Sequence, residues 1–114
     1  MAGSVVVYDA YDHVARVEDV PGDVFSMMSG VIGGCVDCVD DDSFGSRGLD
    51  LWVNDSGDSG VLPYAFTVIV DGSGVPLFGN VVFTMCGDDG SVVGLGDDEI
   101  VFVMGIIDPV VRGW

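Results

Sequence analysis

Asp19-Val20-Pro21-Gly22-Asp23-Val24-Phe25-Ser26-Met27-Met28-Ser29-Gly30-Val31-Ile32-Gly33-Gly34 is the stretch that decides how this chain folds. Asp19 is placed to cap a helix, Pro21 suits its first turn, and Asp23 complements the positive helix N-terminus. Val24, Phe25, Met28, Val31 and Ile32 recur at helical spacing and form one apolar face. Gly33-Gly34 ends the element, because glycine takes the left-handed closing conformation without a Cβ penalty.

Outward from this helix the chain reads as short strands. Upstream, Ser4–Ala10 is a β-branched run and His13–Val17 alternates apolar and polar residues, which predicts a strand pair turning at Asp9–Asp12. Downstream, Cys35–Val39 and Leu49–Asn54 are expected strands on either side of the acidic loop Asp40-Asp41-Asp42-Ser43-Phe44-Gly45. Asn54–Gly60 is turn-like. Phe66–Val70 and Val81–Met85 are β-rich, punctuated by Asp71-Gly72-Ser73-Gly74 and Gly87-Asp88-Asp89-Gly90. Asp97-Asp98-Glu99 opens a last element in which Ile100, Val103, Met104 and Ile107 fit a helical stripe. Gly105 and the β-branched content keep a strand open as the alternative, and Pro109 is expected to end either one. No repeat or linker divides the chain. Residues 1–114 are therefore expected to form a single α+β domain, a small, mostly antiparallel sheet with one or two helices packed on one face.

The charge balance bears on function. Nineteen Asp and Glu stand against 3 Lys and Arg, a formal net charge of -16, while 49% of residues are hydrophobic. That hydrophobicity is too high for charge-driven disorder. Arg16, Arg47 and Arg112 are the only cations besides His13, which excludes direct nucleic-acid binding and a basic membrane-surface helix. The longest apolar stretch, Ile100 to Ile107, falls short of the roughly 20 residues that span a bilayer. No basic segment precedes Val5–Val7, so no secretory signal is predicted, and an odd cysteine count argues against a disulfide framework. The expectation is a soluble, cytoplasmic protein.

Three motifs offer chemistry and each fails on its surroundings. Gly57-Asp58-Ser59-Gly60 matches the GDSG around a serine-protease nucleophile, but His13 is the only histidine and Val61 replaces the motif's next glycine. Cys35-Val36-Asp37-Cys38 has CxxC spacing, yet it follows a helix instead of preceding one, and in a strand its thiols point to opposite faces. A zinc site joining them to Cys86 and His13 lacks a second paired-ligand motif, so the cysteines read as buried small hydrophobes. Asp40, Asp42 and Gly45 resemble the start of a calcium loop, but Phe44 and Leu51 stand where ligands are needed. No catalytic residue, metal or cofactor is expected, and the chain does not read as an enzyme.

The acidic surface is the remaining candidate. Glu18 and Glu99 are the only glutamates, so nearly all the charge rides on aspartates, which favour caps and turns. Asp37, Asp40, Asp41 and Asp42 form one expected cluster, Asp50, Asp55 and Asp58 a second, and Asp88, Asp89, Asp97, Asp98 and Glu99 a third. Carboxylates two apart on a strand lie ~6.6 Å from one another, within a factor of two of the ~3.4 Å axial phosphate spacing per DNA strand. The carboxylates are expected to act as phosphate surrogates, with Phe44 and Trp52 as apolar anchors beside them. A salt-adapted composition predicts the same charges spread evenly over the surface.

Three segments carry a resemblance: Met28-Ser29-Gly30-Val31-Ile32-Gly33-Gly34, then Leu51-Trp52-Val53-Asn54 with Gly60-Val61-Leu62-Pro63, and Leu77-Phe78-Gly79-Asn80-Val81-Val82. In order and character they resemble a family of uncharacterised small domains carried by phages, plasmids and their bacterial hosts. Tyr64 and Ala65 depart from the asparagine that this family places after its Leu-Pro step. The resemblance transfers no catalytic residues and implies a role against host defence. In size and acidity the chain is also similar to anti-CRISPR and anti-restriction DNA mimics. The expected function is a non-enzymatic inhibitor that binds a basic nucleic-acid-binding surface of a host defence complex. The alternative is a module that sequesters a nucleotide signal in a pocket at an oligomer interface, lined by groups such as Asn54, Tyr64, Asn80 and one of the three arginines. Surplus apolar residues also predict a homodimer through Ile106–Trp114.

Overall fold

A computed structural model describes residues 3–20, 23–45, 47–55, 61–87 and 92–111. The opening strand pair forms as expected, β1 (Gly3–Asp9) running antiparallel to β2 (Val14–Val20) with Val6 opposite Val17. Asp9 makes the turn by accepting hydrogen bonds from the backbone N–H groups of Tyr11 and Asp12, and His13 closes it at φ 58°. Burial pushes the Asp9 carboxyl up, but those two amides and Arg16 outweigh it and hold Asp9 below its ordinary pKa.

β2 runs on through Val20, which moves the helix start. Asp19 is a strand residue whose carboxylate takes a hydrogen bond from the Ser4 hydroxyl. Asp23, not Asp19, caps α1 (Val24–Ile32), accepting from the Phe25 N–H at 3.1 Å and from the Ser26 hydroxyl. Gly33 closes the helix at φ 85°, donating to the Ser29 carbonyl.

The main sheet takes the order β2-β1-β7-β4-β3, every neighbour antiparallel. It includes β3 (Val36–Val39), β4 (Leu49–Asn54) and β7 (Val81–Cys86), with the short β8 (Val92–Val93) pairing to the end of β7. Between β3 and β4 the expected acidic loop folds into one helical turn, α2 (Asp42–Gly45). β5 (Tyr64–Val70) and β6 (Ser73–Phe78) make a separate hairpin. Its two turn residues, Asp71 and Gly72, both have positive φ, the tight turn whose twist matches paired strands. β6 is absent from the sequence expectation; it contains Pro76, which an edge strand tolerates. α3 (Asp97–Val111) is a helix, and it continues past Pro109. Among the described residues, no helix is long and apolar enough to cross a membrane.

The class is α+β, but the helices do not share a face. Val5, Val7 and Val82 point to one side, where Met28 and Ile32 of α1 cover them. Val6, Tyr8, Val81 and Phe83 point to the other, beneath the β5–β6 hairpin and α3. Aromatic rings run through this larger core, Tyr8 to Phe66 at 5.4 Å, Phe83 to Phe44 at 5.2 Å and Phe44 to Phe102 at 5.9 Å. At the start of β1 the chain returns across itself. The Leu95 N–H donates to the Ser4 carbonyl at 2.6 Å, and a Cβ on Gly94 would lie 2.9 Å from the Gly3 Cα and the Ser4 N.

Two glycine substitutions separate these features. Gly94→Ala must push two backbones apart and is expected to cost about 1–3 kcal/mol, the scale of overpacking. Gly30→Ala meets nothing within 4 Å inside α1 and is expected to stabilise by about 0.5–1 kcal/mol. Urea unfolding followed by circular dichroism reads both.

Candidate functional site

Strand direction fixes where the carboxylates go. β1 begins, β2 ends, β3 ends, β4 begins and β7 ends at the same end of the sheet. Asp19, Asp40 and Asp50 lie there by register. All three helices start there too: α1 after Asp23 as β2 ends, α2 at Asp42 beyond β3, and α3 just after Leu95 bridges to Ser4. Asp97, Asp98 and Glu99 form the first turn of α3, where a helix dipole favours negative charge. Asp71 joins this end through the hairpin turn, which is tied to Asp42. Asp9, Asp12, Asp37 and Asp55 lie at the other end. The described carboxylates are gathered, not evenly spread. Arg47 shares the acidic end, its guanidinium 3.9 Å from the centre of the Phe102 ring.

Several expected surface residues serve the fold instead. Asp41 is only 4% exposed. Its carboxylate accepts from the Phe44 N–H and from the Ile69 N–H, both at 2.9 Å, so it caps α2 and fastens β5 over the sheet. Asp42 is exposed, yet it accepts from the Asp71 and Gly72 N–H groups and holds the hairpin turn. Phe44 is buried in the larger core and so is no surface anchor. Trp52 packs beneath α1 with its ring edge on Phe25, and its Nε1–H donates to the buried Thr84 hydroxyl at 2.8 Å. The clusters shift accordingly. Asp37 pairs with Val53 and faces the side of the sheet opposite Asp40. Asp50 and Asp55 fall at opposite ends of β4, about 16 Å apart from the rise per residue, so they form no cluster. Asp58, Asp88 and Asp89 lie outside the described residues, as does the Gly57–Gly60 motif.

Sequence reasoning missed the pairing of Asp40 with Asp50. One step beyond Val39 opposite Leu51, the register brings these two carboxylates face to face across β3 and β4. The Cys38 thiol joins them, and the three ligand atoms lie within 4.8 Å of one another. Like charges directly opposite on a sheet repel. Burial and then Asp40 hold the Asp50 carboxyl above its ordinary pKa, while burial and then Asp50, Asp40 and Asp37 push the Cys38 thiol up to about 11. At neutral pH Cys38 therefore stays protonated, and the trio presents two carboxylates, not three ready metal ligands. All three cysteines are exposed, which overturns their reading as buried hydrophobes. Strand alternation could have revealed the pair only with the β3–β4 register in hand.

The glycine and asparagine motifs meet at the opposite end. The Asn54 side-chain amide donates to the Gly33 carbonyl, and the Asn80 amide donates to the Val31 carbonyl, each fastening the end of α1. The Asn80 side-chain oxygen also accepts from the Ala10 N–H, and the Gly79 N–H donates to the Pro63 carbonyl. A groove of about 430 Å³ beside them is lined by Gly33, Gly34, Cys35, Asn54, Asp55, Val61 and Leu62. Neither Tyr64 nor Asn80 lines it, and the Tyr64 hydroxyl is hydrogen-bonded to Thr67 at 2.7 Å.

Asp41→Ala removes two hydrogen bonds at once and is expected to destabilise by about 2–4 kcal/mol, read by urea unfolding. Asp50→Asn works in the other direction. A raised carboxyl contributes stability that is complete below its ordinary value and lost as pH rises through the raised folded value. Asp50→Asn is therefore expected to raise Tm by a few degrees at neutral pH, with Asp12→Asn as the equal-charge control that does not. In a Cys35→Ser/Cys86→Ser background, Asp50→Asn is also expected to speed iodoacetamide labelling of Cys38 several-fold. No family model, no curated protein and no solved structure matches the chain.

Proposed function

We propose that the acidic end of the sheet is a binding surface that occupies a basic, nucleic-acid-handling surface of another protein in place of nucleic acid. The chain on this reading does no chemistry of its own. The single observation that carries it is the gathering of Asp40, Asp50, Asp97 and Asp98 with Asp19, Asp42 and Asp71 at one end of one rigid sheet. A net charge of -16 attracts any basic protein at long range, but a solvated, scattered charge gives no register. Carboxylates fixed by strand pairing and helix starts do. The Asp40 and Asp50 carboxylates approach within 4.8 Å of each other, closer than the ~6.6 Å between alternate residues along a strand.

The partner class follows from the chemistry: a Lys/Arg-lined groove evolved to displace counterions from phosphates. Host defence complexes of the restriction and CRISPR kinds present such grooves, and the resemblance to phage and plasmid domains favours them, which makes the proposed role anti-restriction or anti-CRISPR inhibition in the host cytoplasm.

The test is competition. Across a panel of restriction enzymes and CRISPR effectors, at least one should release labelled nucleic acid when the protein is added. Combined Asp40→Asn/Asp97→Asn/Asp98→Asn should weaken that release at least tenfold, and Asp12→Asn/Asp55→Asn should not. Affinity should fall steeply with added salt. No release from any member of the panel, equal loss in both sets of variants, or affinity indifferent to salt overturns the proposal.

A further inference from the structure

The main sheet has two edges among the described residues, and only one of them is blunted. β3 at one edge is only four residues long. β2 at the other is seven residues in unbroken register with β1, without a proline, a lysine or a bulge, and nothing among the described residues pairs with its outer side. Long, regular, unprotected edges are templates for another strand. Val14 and Val17 on this strand are 48% and 47% exposed.

The strand is complementary to itself. Written Val14-Ala15-Arg16-Val17-Glu18-Asp19-Val20 and paired antiparallel about its centre, it sets Val17 opposite Val17 of the second copy. Arg16 then faces Glu18 of that copy, and Glu18 faces its Arg16. Shifting the axis by one residue in either direction puts Arg16 or Glu18 opposite its own counterpart, and like charges opposed on a sheet are destabilising. Within the chain Arg16 already holds Glu18, its Nε 2.6 Å from the carboxylate, on the same face of β2. Two copies about Val17 thus close a ring of four alternating charges. They use one of only three arginines in the sequence. Antiparallel pairing also turns the two acidic ends away from each other, which limits the repulsion between chains of net charge -16.

We propose that β2 is a dimer edge: a second copy of this chain adds its own β2 antiparallel across Val17 and joins the two sheets into one. This edge differs from the contact expected of Ile106–Trp114: Ile106 and Ile107 pack against the larger core of their own chain, and residues 112–114 lie outside the described residues. The inference does not depend on the proposed function.

Sedimentation of the full chain, with circular dichroism to verify folding, tests it. The unmodified protein should sediment at twice its 11.9 kDa mass. Arg16→Glu and Glu18→Arg, each placing like charges opposite, should raise the dimer dissociation constant at least tenfold, and the Arg16→Glu/Glu18→Arg exchange should restore it. Val17→Asp, which leaves Arg16 and Glu18 in place, should also give monomers. A monomeric unmodified protein, a dimer indifferent to the single changes, or a folded exchange variant that stays monomeric overturns the proposal.

Discussion

Burial of β1 and β7 on both faces is the constraint on which the rest of the structure depends. Val5, Val6, Val7 and Tyr8 are all buried, and so are Val81, Val82 and Phe83. Successive strand residues point to opposite sides, so neither strand can tolerate an uncovered face. One side is closed by α1 through Met28 and Ile32, the other by the β5–β6 hairpin and α3. Fully burying each such side chain is worth roughly 1.5–3 kcal/mol, so leaving one side open would forfeit several of these contributions at once. The Asp41 carboxylate matters for the same reason, because it fastens the hairpin that covers the larger core.

The same arrangement sorts the charge. With β1 and β7 central and every pairing antiparallel, the strand ends alternate, and all three helices begin at one end of the sheet. Aspartate is favoured at helix starts, so the chain's preference for aspartate over glutamate and the location of its charge have one physical origin. Part of the acidity is thereby structural: Asp23 caps α1, Asp41 caps α2 and Asp42 pins the hairpin turn. The Asp40–Asp50 pair is different. It places two carboxylates in opposition and raises the Asp50 pKa, a cost to the isolated fold that a cationic partner would relieve.

Local signals were legible in the sequence wherever the physics is local. The αL glycine at Gly33, the β4 strand from Leu49 to Asn54 and the turn at Asp71-Gly72 all follow from residue type and spacing. The two-sided sheet was written in the uninterrupted run Val5-Val6-Val7-Tyr8, since a strand with one wet face alternates; the expectation of helices on a single face missed that meaning. The helix cap moved from Asp19 to Asp23 because pairing with β1 held β2 extended through Val20, a tertiary effect with no local trace. For the site, Asp40 and the first turn of α3 were legible as exposed acid. The burial of Asp41 and Phe44 and the half-burial of Trp52 were not, because β5, α1 and α3 cover them from distant parts of the sequence. Asp50 was grouped with Asp55 and Asp58 and not with Asp40 for the same reason, since Asp40 reaches it from beyond another strand.

The most direct measurement is a backbone NMR titration with a short oligo-arginine peptide. If the charge forms one surface, amide shifts concentrate at Asp40, Asp50, Asp71, Asp97 and Asp98, while Asp9, Asp12 and Asp55 stay put and the response fades as salt is raised. Shifts of equal size at both ends of the sheet would contradict the acidic end as a binding surface.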